Sequence, residues 1–186
     1  MADRGKLCPN DRVASLIALV QKDQKRGIRE LDMLLSEFPS DARLHFLKGS
    51  LLAGQEDYAA ARTFMRGAVD LAPNYTVARF QLGFLLLTSG EPHAAEEAWG
   101  PLHSLPKDNY FNLFVRGLCH LIRDEFDDTI RLLREGMAQN RDNAPMNADM
   151  QLILEEVERK MSGKGGAAVS SVDLLLQQAR LKSTRH

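Results

Sequence analysis

Residues that mark a special chemistry are scarce. Among 186 residues there are two cysteines, one tryptophan and three tyrosines. Cys8 and Cys119 are far apart in sequence, so neither a disulfide framework nor the close pairing of a zinc site is suggested. Net charge is -1, with 24 basic and 25 acidic residues; global electrostatics therefore gives no attraction to nucleic acid or to an anionic membrane. No apolar run approaches the roughly 18 residues of a spanning helix. The opening MADRGKLCPNDR is charged and lacks the apolar centre of a secretory signal, so a cytoplasmic location is the expectation. Period-2 alternation is also missing, which argues against a sheet.

No catalytic constellation stands out. Gly163-Lys164-Gly165-Gly166 lacks the GxxxxGK spacing and the preceding strand of a phosphate loop, and reads as linker. His45, His93, His103 and His120 form no HxxxH or HExxH pair, and His120 is expected to be a packed core histidine. Acidic residues sit on helical faces beside basic ones, the pattern of solvated surface. The expectation is a protein that is not an enzyme, with no catalytic residues, metal or cofactor.

What is present is a period. Gly49, Gly83 and Gly117 are spaced 34 residues apart, as are Phe46, Phe80 and Phe114, then Ala61, Ala95 and Thr129, then Tyr58, Pro92 and Phe126. A fixed period of this size marks a repeat architecture. Glycine inside a helix costs about 1 kcal/mol against alanine, so three at one register need a reason. Close approach of the paired helices, backbone against backbone, is that reason. Gly90 falls at an inter-helix turn, Pro92 at the start of the next helix, and Pro101 should end or kink that helix near Trp99.

The middle unit, TVARFQLGFLLLTSGEPHAAEEAWGPLHSLPKDN, carries Leu82-Gly83, Leu86, Ala95 and Trp99 in the order leucine-glycine, aromatic position, alanine, aromatic. The unit before it supplies Gly49, Leu52, Ala61, Met65, Ala68 and Pro73; the one after it supplies Gly117 and Leu133. Over roughly residues 8–160 the chain resembles a tetratricopeptide-repeat protein. That resemblance implies an all-α right-handed solenoid of antiparallel helix pairs: three clear repeats, a degenerate first repeat with Ser15 in place of the glycine, and a C-terminal capping helix. The expected organisation is a disordered lead over 1–10, the repeat domain over 11–161, a flexible linker over 162–171 and an amphipathic helical tail over 172–186.

The resemblance also places the first helix of each pair on the concave side. There the chain carries Phe46, Val77, Phe80, Phe84, Leu87, Phe111, Phe114, Leu118 and Leu121. Co-chaperones of this family that grip a terminal carboxylate use Lys, Asn and Arg on that face. Phenylalanines and leucines stand here instead, so no carboxylate clamp is expected. An apolar groove is similar to that of repeat proteins holding hydrophobic client segments, small bacterial chaperones of type III secretion among them. The expected partner is a protein or peptide client, bound by an adaptor or chaperone. The alternative is a structural, homo-oligomeric protein whose groove is filled by its own tail, through Val172, Leu175, Leu176 and Ala179, which follow the i, i+3, i+4, i+7 rule.

Overall fold

The computed structural model describes residues 5–162; all of the expected linker but Ser162, and the whole expected tail, lie outside the described residues, as do Val172, Leu175, Leu176 and Ala179. Nine α-helices and no strand occur among the described residues: α1 (Asn10–Lys22), α2 (Gln24–Glu37), α3 (Ala42–Gly54), α4 (Tyr58–Leu71), α5 (Thr76–Thr88), α6 (Pro92–Trp99), α7 (Tyr110–Ile122), α8 (Phe126–Gln139) and α9 (Ala144–Met161). A short 3-10 segment over Gly100–Ser104 follows α6. None of these helices is long and apolar enough to cross a membrane. The chain divides into two compact units, Met1–Leu82 and Gly83–His186, with the division inside α5.

Helix starts follow from short polar side chains that accept an otherwise orphaned backbone N–H. Asp23 accepts from Arg26, Asp57 from Ala60, Asn109 from Phe111 and Asn143 from Met146, all at 3.0–3.2 Å. Pro92 sits in the first turn of α6, as its sequence position predicts. Trp99 ends that helix, and Gly100-Pro101 turns the chain into the 3-10 segment.

In the first unit, α1 and α2 enclose Leu16, Leu31, Leu34 and Phe38, joined by Leu44 of α3 and by Cys8. The inclusion of Cys8 corrects the expected disordered lead. Its N–H donates to buried Asp41 at 2.9 Å, and its carbonyl accepts from Arg43 at 2.6 Å. Arg43 also donates to Asn10. Cys8 is thus held in place by a carboxylate at the start of α3, which accepts its N–H.

The repeat period reappears in the backbone. Among the described residues, Glu56, Gly90 and Asp124, again 34 apart, are those with left-handed φ, at 65°, 81° and 58°. Each lies at the turn between the two helices of its pair. Only the glycine takes this conformation without a steric cost.

The glycine column makes room, but mainly for side chains. A Cβ on Gly49 would lie 2.7 Å from the Met65 side chain and 3.1 Å from backbone atoms of Ala61 and Met65. On Gly83 it would overlap the Trp99 indole, and on Gly117 it would come within 2.9 Å of Leu133. Backbone-on-backbone approach thus holds in part for α3 against α4. At the other two positions the glycine receives the large residue 16 places later.

In the second unit, α9 buries Met146, Met150, Ile153 and Val157. Met161 at the end of that helix is exposed, and Glu156 is buried. Glu156 stays satisfied because Arg159, one turn on, donates to it. Arg134 of α8 pairs with Glu158 of α9 at 2.6 Å. That bridge is solvent-exposed and contributes little.

Candidate binding surfaces

The inner-face residues divide by burial. In the first unit Phe46 and Val77 are half-buried while Phe80 is buried. In the second, Phe84 is half-buried, and Leu87, Phe111, Phe114, Leu118 and Leu121 are buried. Phe114 shows one cause: its ring covers Gly136 of α8, where a Cβ would come within 2.6 Å. Its edge also meets Tyr110 at 5.9 Å between centroids. A helix that is apolar on nearly every side is a core helix, and α7 behaves as one, with nine of its thirteen residues buried.

Phe46 differs. Its ring meets Tyr75 edge-on, 5.4 Å between centroids and 65° between planes, a geometry favoured by the ring quadrupoles. Burial pushes the Tyr75 hydroxyl's pKa up, so at neutral pH the ring keeps a neutral polar edge. One turn before Phe46, Arg43 is fixed by Asp41, with Nε at 3.0 Å and Nη2 at 2.6 Å. Burial alone would raise the Asp41 pKa, but the hydrogen bonds from Arg43 and from the Cys8 N–H outweigh it and hold the carboxyl below its ordinary value. Tyr75 and Arg43 were not legible as members of this surface, since neither belongs to an apolar column.

The second unit carries a separate cleft of about 340 Å³, lined by Glu96 of α6, His103 of the 3-10 segment, Arg116, Cys119 and His120 of α7, and Arg123, which caps that helix. The last four fall at i, i+3, i+4 and i+7, one stripe of the helix. Arg123 reaches Glu96 at 2.8 Å. His120, expected in the core, is at the margin instead, with Nδ1 2.5 Å from Glu125 Oε2. The turn between α7 and α8 brings that carboxylate back to it, and the five-residue separation was the available signal. Burial first, then the neighbouring Glu96 carboxylate, push the Cys119 thiol up to about 11. It is protonated at neutral pH and a poor nucleophile.

No family model matches the chain, and no curated protein matches it in sequence. Solved structures do. MamA from Desulfovibrio magneticus RS-1, residues 41 to the end, aligns over 96% of this chain and 100% of its own, with a TM-score of 0.57 and 16% identity. A MamA RS-1 ArsTM double mutant aligns over the same shares, with a TM-score of 0.56 and 16% identity. At that identity the likeness shows the fold. Among the described residues the chain is all-α, built of consecutive helix pairs, and shares this fold with those structures.

Proposed function

We propose that the protein is a non-enzymatic interaction module, an adaptor or chaperone that holds an apolar segment of a client protein. The observation that carries this is the retained exposure of Phe46 and Phe84. Both belong to the expected inner-face set, in which the phenylalanines Phe80, Phe111 and Phe114 are buried. Large aromatics are costly to leave in water, at about 25 cal/mol per Å² of apolar surface, and are the side chains most often found as anchors in protein interfaces. An amphipathic helix or extended peptide presents matching anchors at its own spacing.

Of the nine expected groove residues, Phe46 and Val77 of the first unit are proposed to touch a client, and so, in its own unit, is Phe84 of the second. The buried Phe80, Leu87, Phe111, Phe114, Leu118 and Leu121 would position the helices that present them. The edge-on Tyr75 and the fixed Arg43 give the Phe46 surface a polar rim with little conformational freedom left to lose on binding.

The test is site-specific photo-crosslinking in the cell of origin, with benzoylphenylalanine at position 46 or 84 and, as control, at exposed Tyr58. The same protein captured from positions 46 and 84, and not from 58, is expected. An identical product pattern from all three positions contradicts the reading.

A further inference from the structure

The cleft of the second unit lies outside the inner face and has its own charge balance. Arg123 is matched by Glu96 and His120 by Glu125. Arg116 is half-buried and has no hydrogen bond or ion pair among the described residues. Asp128 feels its charge, and that carboxylate is already held by Arg131 at 2.6 Å. A guanidinium cannot shed its proton in a protein and offers five donors in a planar fork. Arg116 lines a cleft whose thiol is protonated and whose lining carboxylate, Glu96, is paired with Arg123.

Further donors lie around it. His103 lines the cleft from the 3-10 segment, and Arg123, engaged with Glu96 through Nη2, lines it two turns along α7. A planar carboxylate is served by one arginine fork. Donors drawn from separate turns suit a group with three acceptor oxygens and close to two negative charges, which describes a phosphomonoester at neutral pH. A volume of about 340 Å³ also leaves room for the group that carries the phosphate.

We propose that this cleft binds a phosphomonoester dianion, held chiefly by Arg116 and supported by His103 and Arg123. The phosphate belongs either to a small phosphorylated molecule or to a phosphorylated side chain of a peptide. The site stands independently of the client-binding reading, since it shares no residue with the inner face.

The test uses the full chain in low-chloride buffer at pH 7.5, following backbone amides of Gly100, residues 102–104 and residues 116–123 by NMR. Inorganic phosphate, phosphoserine, a phosphoserine peptide and its unphosphorylated form are titrated in turn, with acetate at matched ionic strength. Saturable shifts with inorganic phosphate are expected, with Kd on the order of 1–10 mM, and none with acetate. Affinity should fall at least about tenfold in R116Q, a loss of about 1.4 kcal/mol, and stay unchanged in R66Q, which alters an exposed arginine of α4. Tighter binding of the phosphopeptide than of free phosphoserine assigns the peptide source, and equal binding assigns the small molecule. Absence of saturable shifts up to about 50 mM phosphate, or equal affinity in R116Q, overturns the proposal. Should R116Q not fold, equal affinity in R116K does the same, because lysine keeps the charge and loses the fork.

Discussion

The indole of Trp99 occupies the space that any side chain on Gly83 would need. The pairing recurs one repeat earlier as Gly49 with Met65 and one repeat later as Gly117 with Leu133. The glycine column and the large-residue column are thus two halves of one contact. The contact fixes how closely each first helix lies on its second, and so how the inner face is presented.

Gly83→Ala should therefore cost about 1–3 kcal/mol, since Trp99 is fully buried and has nowhere to move. Gly54→Ala, where nothing lies within 4 Å of the added carbon, should be neutral or stabilising by up to about 1 kcal/mol. Urea denaturation of the two variants measures both. Equal midpoints would remove the steric argument.

The left-handed turns make an opposite pair. Gly90→Ala should destabilise by about 1 kcal/mol, because alanine pays for a conformation glycine adopts freely. Glu56→Gly should stabilise by about 0.5–1 kcal/mol as the strain at that φ is relieved. Thermal melts of both variants check the signs.

The fold was legible where one physical requirement recurs at one spacing. Gly49, Gly83 and Gly117 announced the helix pairs, and Pro101 announced the end of α6 near Trp99. Glu56 and Asp124 hid the turn period because neither side chain advertises a left-handed backbone. The site was less legible, because an apolar inner-face residue reads the same whether it meets solvent or a neighbouring helix. Phe46 and Phe114 share a column, yet the second covers Gly136 and the first meets Tyr75 with part of its surface exposed. Cys8 and Asp41 were illegible for another reason: their bond joins residues 33 apart, outside any local pattern.

That bond gives a pH prediction. The folded pKa of Asp41 lies below its ordinary value, since the hydrogen bonds from Arg43 and Cys8 outweigh the effect of burial. Its stabilisation is therefore full above the unfolded value of about 3.9 and is lost as pH falls through the lower folded value. Asp41→Asn should cost about 1–3 kcal/mol at pH 7. It should also flatten the loss of stability as pH falls below about 4, measured by urea denaturation over the acid range. A variant with the same acid profile as the parent would show that Asp41 is not the coupled group.

The central claim is that Phe46 and Phe84 serve binding while Phe114 serves the fold, and one comparison tests it. Once a client has been captured, its affinity is measured by calorimetry for the parent, for Phe46→Glu with Phe84→Glu, and for Phe114→Ala, each alongside a thermal melt. The double variant should keep a melting temperature within a few degrees of the parent, a difference of roughly 1 kcal/mol, and lose at least about 2 kcal/mol of binding. Phe114→Ala should lose about 3–5 kcal/mol of stability. A double variant that stays folded and binds the client as tightly as the parent would contradict the account.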